Sequence, residues 1–273
     1  MNNKELEQVE IEVLIDSIRR RYGFDFSNYS QASFKRRLQH YLKLKNINRI
    51  SDLIPAMLHD PATFKTFLFN LSIPVTEMFR DPQAFQVVRQ KVVPMLSTYP
   101  SIKIWHAGCA SGEEVYALAI VLVEEGLYDR CQIYATDFND QVLKMAEEGI
   151  YPTERIKEYT LNYQKAGGKR SLSDYYLSRY EAVIMNSALR KRIVFANHNL
   201  MGDASFGEMQ LIVCRNVLIY FNQSLKEEVL QVFAESLAPR GYLWLGTKED
   251  VGLPGLRNEF KTIDSRQKIF QKK

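Results

Sequence analysis

From residue 3 to about 96 the apolar positions recur at helical spacing, as in Val9, Val13 and Leu14 and later Phe34, Leu38, Tyr41 and Leu42, with no convincing alternating run. The pattern predicts a helical domain. Ser51 ahead of DLIPAMLH and Asp60 ahead of PATFKTFLFN suit helix N-caps, the second with a proline at the first helical position, where its missing N–H costs nothing. LSIPVTEMFRDPQAF then interrupts the helices with Pro74 and Pro82, so Leu71 to Arg80 reads as a loop and Asp81-Pro82 as a fresh cap.

From Ile102 the texture changes. IKIWHA, EEVYALAIVLVEEG, CQIYATD and NDQVLKMAEEG alternate β-rich runs with amphipathic ones, and IVFANHN, MQLIVCR, SLKEEVLQVFAESL and GYLWLGT continue the series. Such alternation predicts an α/β unit with a parallel sheet covered on both faces. NEFKTIDSRQKIFQKK, two short runs about a polar turn, suits a closing antiparallel hairpin. The stretch from Tyr151 to Arg190 breaks the alternation; rich in tyrosine (151, 159, 163, 175, 176 and 180), it is too long for a bare loop and reads as an inserted subdomain. The expected division is a helical domain with linker over 1–96 and a sheet domain over 97–273, the insertion occupying 151–190.

Composition adds exclusions. At 273 residues, 46% hydrophobic and 25% charged, the chain can bury one sizeable core and a smaller module. No apolar run approaches the roughly 18 residues that span a bilayer, and MNNKELEQVE is unlike a secretory signal, so a cytoplasmic location without membrane insertion is expected. Cys109, Cys131 and Cys214 are widely spaced in or beside apolar segments and read as buried thiols; His40, His59, His106 and His198 lack paired metal spacing, and no metal is expected. The net charge of +4 is too small to announce a nucleic-acid binder. Basic residues do crowd the first third, at Arg19, Arg20 and Arg21, then Lys35, Arg36, Arg37, Lys43, Lys45 and Arg49, a face that can draw phosphates or acidic helices or simply be solvated.

The richest stretch is IKIWHAGCASGEEVYALAIVL. In doubly wound sheets ligands bind where the first strand-to-helix turn brings backbone N–H groups close, and Gly108 and Gly112 frame such a turn. GCASGEE is neither GxGxxG nor GxxxxGK followed by Ser or Thr. Glu113 and Glu114 at the helix start would repel a pyrophosphate and favour positive charge. CQIYATD ends in Asp137, an acid that can accept both hydrogen bonds of a ribose diol, although it could instead cap the next helix, a task open also to Asn139. An adenosine-bearing, phosphate-free cation fits, and S-adenosylmethionine is the obvious such cofactor.

With GCASGEEVYALAI, ATDFNDQVLKMAEEGIY, FANHNL and IVCRNVLIYF in family order, the sequence resembles the CheR-type chemotaxis receptor methyltransferases over almost its whole length. The resemblance implies an all-α N-terminal domain, then a Rossmann-like class I methyltransferase domain carrying a small antiparallel β-subdomain. It implies transfer of methyl from S-adenosylmethionine to glutamate side chains on chemoreceptor cytoplasmic helices, with S-adenosylhomocysteine as product. Beside Gly108, a cofactor contact by its place in the glycine turn, the family's cofactor contacts carry over to Thr76, Arg80, the Glu113/Glu114 pair, Asp137, Asn199, Leu200, Asn216 and Val217, with either glutamate of the pair open. Phe138 could lie against the adenine or in the core. Two departures stand out. Pro74 occupies the place of an asparagine in the N-x-T-x-F-F-R loop, and Gly167-Gly168 with a polar helix-like run replaces the glycine-rich turn of members that dock on a receptor's C-terminal pentapeptide, so that tether is doubtful.

A glutamate with a pKa near 4.3 is ionised at neutral pH and needs no general base. What the protein must supply is alignment and exclusion of water. Arg80 is the candidate for gripping a carboxylate through its planar fork, and Tyr220 could donate to the accepting carboxylate or pack in the core. Lys35, Arg36, Arg37 and Lys43 supply a basic face for an acidic receptor helix. A monomer is expected. Among rivals, CRNV is not the Asn-Pro-Pro-aromatic strand end of amino-methylating nucleic-acid enzymes and no Pro-Cys nucleophile occurs; a cofactor-binding regulator without turnover is the remaining alternative.

Overall fold

The computed structural model describes residues 2–71, 76–202, 207–252 and 256–273, so Pro74 lies outside the described residues. The chain forms two compact units, residues 1–73 with 219–228, and residues 74–218 with 229–273.

The first unit is helical: α1 (Asn3–Tyr22), α2 (Gln31–Leu44), α3 (Ile50–His59) and α4 (Pro61–Leu71). Asn2 opens α1 with a capping box, its side chain accepting from Lys4 and Glu5 N–H, and Gly23 closes it in the left-handed region at φ 78°. Asp60 caps α4 as expected, taking the N–H groups of Ala62 at 2.9 Å and Thr63 at 3.2 Å. Ser51 does not cap α3: the helix begins at Ile50, and the Ser51 N–H donates to Glu10 at 3.2 Å. The core gathers Leu14, Ile18, Phe26, Phe34, Leu38, Tyr41, Leu53, Met57 and Phe67. Tyr22 stacks on Phe64 with ring centroids 3.9 Å apart. Residues 219–228 join this unit through hydrogen bonds from Ser30 N to Tyr220 O at 2.7 Å and from Asn222 N to Asn28 O at 2.9 Å.

The second unit is built on a seven-stranded sheet. Its strands are β1 (Ile102–Ala107), β2 (Cys131–Asp137), β6 (Ile193–Asn197), β7 (Met209–Cys214), β8 (Leu237–Leu245), β9 (Phe260–Asp264) and β10 (Ile269–Lys272). They lie in the order β6-β2-β1-β7-β8-β10-β9. The first five are parallel, and β10 runs antiparallel to both β8 and β9, forming the hairpin read from the C-terminal pattern. This is the Rossmann-like class I methyltransferase arrangement. Strand order reverses between β1 and β7, and a crevice at their carboxyl ends is where such sheets take ligands. Helix α7 (Glu113–Glu124) follows β1, α8 (Asp140–Glu148) follows β2, and α10 (Gln223–Ser236) precedes β8. α7 is buried from Glu113 to Leu122, which explains why EEVYALAIVL lacks a polar face.

Residues 82–96, helical by periodicity, pack in this unit and not in the first. α5 (Pro82–Val87), a π-helical stretch over 88–92 and α6 (Val93–Leu96) send Phe85, Val88, Val92 and Leu96 into the sheet's core cluster. Asp81 precedes α5 but gives it no side-chain cap.

The insertion forms a three-stranded antiparallel sheet, β3 (Ile150–Pro152), β4 (Tyr176–Arg179) and β5 (Ala182–Met185) in the order β3-β5-β4, with α9 (Ile156–Lys165). Its tyrosines anchor it. Tyr163 and Tyr175 donate to one Glu124 oxygen at 2.5 and 3.0 Å, while Arg89 reaches the other at 2.5 Å. Gly168 is there for Tyr163, whose ring a Cβ would meet at 2.3 Å. The run after it is only briefly helical, a 3₁₀ turn over Leu172–Tyr175, before it enters β4.

Candidate functional site at the switch point

The turn after β1 folds by backbone rules. Gly108 (φ 74°), Ala110 (φ 48°) and Gly112 (φ 89°) all lie in the left-handed region, and the N–H groups of Gly108 and Cys109 both bond the Thr136 carbonyl, at 2.8 and 2.9 Å. A Cβ on Gly112 would sit 2.8 Å from Ala146 Cβ and 3.0 Å from its Cα, so α7 and α8 approach as closely as glycine allows. Gly112→Ala combines overpacking with left-handed strain and is expected to cost roughly 2–5 kcal/mol, read as a lower urea midpoint.

Asp137 closes this turn. Its Oδ2 accepts from Ala110 N–H at 3.0 Å and its Oδ1 from Asn139 N–H at 3.1 Å, while Asn139 is the residue that caps α8. Burial pushes the Asp137 carboxyl up to about 6, against the backbone N–H groups of Asn139, Ala110 and Phe138 and the field of His106. The Asp137 carbonyl accepts from His198 N–H at 3.1 Å, which brings Asn199 and Leu200, both half-buried, beside the end of β2. Phe138 is half-buried too.

The two glutamates separate. Glu114 faces inward, ion-paired with Arg215 and 3.3 Å from His106 Nε2; burial would raise its carboxyl, but the Arg215 charge and His106 overcome this and hold it below its ordinary value. Glu113 is as buried, at 3% exposure, yet its partners are weaker: Ser111 Oγ at 2.7 Å and Arg155 Nη1 at 3.9 Å. Burial pushes its carboxyl up to about 7. Arg155 also donates to the Thr76 carbonyl at 3.1 Å, tying the 76–81 loop to the insertion and to Glu113.

After β7, Asn216 adopts φ 61°, its N–H bonded to Glu249 Oε2 at 3.0 Å, and its Oδ1 is buried without a hydrogen-bond partner among the described residues. Val217 lies against Gly108, whose Cβ would meet Val217 Cγ2 at 2.5 Å. Gly108, Asp137, Phe138, Asn199, Leu200, Asn216 and Val217 are thus carried by strand ends and the turns after them, Glu113 and Glu114 by the first turn of α7, and Thr76 and Arg80 by the loop before α5, all in one unit.

The basic face needs correction. Arg37 is 8% exposed, donates to Leu71 O at 2.8 Å and lies 4.8 Å from the Tyr220 ring centroid, because it shares a helix face with Phe34 and Tyr41. Lys35 is paired with Glu7 at 2.6 Å. Arg36 and Lys43 remain exposed. Tyr220 belongs to the first unit, where its ring covers Arg37. Pattern reading also passed over Arg215, Arg155, His106 and Glu249. Arg215 was the detectable one, since a charge directly after an all-buried strand needs buried partners.

Residues 74–269 match the CheR methyltransferase SAM binding domain and residues 10–72 the CheR methyltransferase all-alpha domain. The Pseudomonas putida protein Cher3 is 48% identical over 272 residues, covering 100% of both chains. A Listeria innocua protein named chemotaxis protein methyltransferase is 31% identical over 251 residues, 89% of this chain and 93% of its own. Its Vibrio cholerae counterpart, chemotaxis protein methyltransferase 1, is 33% identical over 211 residues, 72% of this chain and 71% of its own. With both domain matches in chain order on a class I methyltransferase sheet, the chain belongs to the CheR methyltransferase family.

Proposed function

We propose that this family member methylates glutamate side chains on the cytoplasmic helices of chemoreceptors, with S-adenosylmethionine as donor. The observation that carries the reading is a pair of buried acids, Glu113 at the start of the helix after β1 and Asp137 at the end of the neighbouring β2, both raised by burial, together with the Oδ1 of Asn216 after β7, buried without a hydrogen-bond partner among the described residues. Such a site is stabilised by a ligand that brings a cation and hydroxyl or amine donors. Bound S-adenosylmethionine would supply an electrophilic methyl group for a carboxylate oxygen, leaving S-adenosylhomocysteine.

Glu113 is assigned the ligand's ammonium, because Glu114 is already neutralised by Arg215. Asp137 takes the ribose hydroxyls, and the 137–138 and 199–200 segments flank the base. Arg80 is in no ion pair of 4 Å or less among the described residues, although its charge acts on Glu77 in the same loop, and its fork is assigned a carboxylate, either the ligand's own or the substrate's. The accepting glutamate arrives ionised, so the residues' task is to orient it and exclude water.

Arg36 and Lys43 lie seven positions apart on one exposed face of α2, suited to an acidic receptor helix. Reversing both charges, Arg36→Glu with Lys43→Glu, should slow receptor methylation about tenfold at low ionic strength and less at high salt, with cofactor affinity unchanged. The direct test incubates the protein with methyl-labelled S-adenosylmethionine and a glutamate-bearing receptor fragment. Base-labile protein esters are expected; label in nucleic acid, or binding without transfer, overturns the reading.

A further inference from the structure

We propose that Asp81 and Arg215 are positioning residues that set the direction of Arg80. This rests on the reading above that Arg80 grips a carboxylate. Arg80 sits between two non-glycine residues in the left-handed region, Phe79 at φ 56° and Asp81 at φ 55°. Backbone of that kind persists only where its surroundings over-determine it. On one side the surroundings are apolar: the Phe79 ring is fully buried, 5.1 Å from Phe85 and 5.2 Å from Tyr163 between centroids.

On the other side they are ionic. Arg215 Nη2 is 2.6 Å from Asp81 Oδ2, and its Nη1 donates to the Arg80 carbonyl at 3.1 Å. Arg215 itself cannot drift: its side chain has no solvent exposure, it is paired with Glu114 on the first turn of α7, and its guanidinium carbon lies 4.8 Å from the Trp244 ring centroid. Asp81 occupies the N-cap position of α5, a place where aspartate ordinarily bonds the helix's own N–H groups, yet no such bond is made. Its carboxylate is spent on Arg215 instead. The peptide unit after Arg80 is therefore referenced, through Arg215 and Glu114, to the helix that carries Glu113, while Phe79 holds the unit before it against Phe85 and Tyr163, and the Arg80 fork leaves the loop from a fixed origin.

A double-mutant cycle tests this, using calorimetric affinity for S-adenosylhomocysteine and the methylation rate of a receptor fragment. Arg80→Ala should lower the rate, the affinity, or both. Asp81→Asn should produce about a tenfold loss in the same quantity, and Asp81→Glu, which keeps the charge, should recover part of it. Because Asp81 acts through Arg80, the double variant Arg80→Ala/Asp81→Asn should match Arg80→Ala alone. Losses that multiply, or an Asp81→Asn protein equal to the parent, overturn the inference while leaving Arg80 in place. An Arg80→Ala protein equal to the parent removes the Arg80 reading and this inference with it. Arg215→Lys, which keeps a charge for Glu114 but loses the fork, should repeat the Asp81→Asn pattern; a loss that adds to that of Arg80→Ala counts against the proposal.

Discussion

Glu113→Gln should give a ligand-free protein that is more stable than the parent above pH 7 and that binds S-adenosylhomocysteine ten- to a hundredfold more weakly. The carboxyl of Glu113 leaves its ordinary 4.5 and rises to about 7 because burial penalises its charge more than Ser111 and Arg155 repay it. In the unfolded chain the proton leaves near the ordinary value; in the folded chain it stays on until about 7. Across that interval the folded state binds more protons, so stability falls as pH rises, and the loss persists at higher pH. The cost is roughly 3 kcal/mol at most. Asp137 acts in the same direction between 3.8 and about 6. The parent should therefore melt progressively earlier from pH 5 to pH 8, whereas Glu113→Gln should lose only the share due to Asp137. Glutamine keeps the Ser111 hydroxyl as a partner but has no charge to offer a ligand's ammonium, a charge-assisted bond worth about 1.5–3 kcal/mol. Parent affinity should correspondingly rise between pH 6 and 8. Superimposable melting curves of the two proteins across this range would show that Glu113 is not the strained acid described.

The two proteins together separate what pattern could and could not supply. β1, β2 and α7 were legible because IKIWHA and CQIYATD are short β-rich runs buried along most of their length and EEVYALAIVL carries an unbroken apolar run, a pattern that suits a two-sided layer, and the strand ends then located the turn and Asp137. Asp60 was legible for a similar reason, since cap chemistry is local. Long-range pairing is not local. Nothing near CRN announces that Arg215 meets residues 134 and 101 positions away, or that TERIKEY sends Arg155 back to Thr76. The same blindness diverted Asp81, read as a cap, into an ion pair. Arg37 was misread for another cause: charge was counted along the sequence, while its spacing of three from Phe34 and four from Tyr41 placed it on the buried stripe of α2. The return of residues 219–228 to the helical unit has no pattern signal either, because LIYF is as suitable for one core as for the other.

Asp137→Ala should weaken S-adenosylhomocysteine binding about a hundredfold while moving the stability of the ligand-free protein little. Two effects oppose each other in the apo state. Removing the carboxylate strips the acceptors of the Ala110 and Asn139 N–H groups, each of which costs about 1–3 kcal/mol if left buried and unpaired. It also removes a buried charge whose carboxyl is raised from 3.8 to about 6, a relief of similar size above that pH. At pH 7.5 the sum should stay within about 1–2 kcal/mol, and the melting curve should move by only a few degrees. No such cancellation occurs in the complex, where the ribose hydroxyls would face no acceptor. A ligand without those hydroxyls, 2′,3′-dideoxy-S-adenosylhomocysteine, distinguishes the roles. The parent should reject it strongly relative to the ribose form, as a site built to accept hydroxyl hydrogen bonds does, and Asp137→Ala should bind the two forms about equally. If the variant still discriminates between them, the diol is read by another group and Asp137 serves only to close the glycine turn.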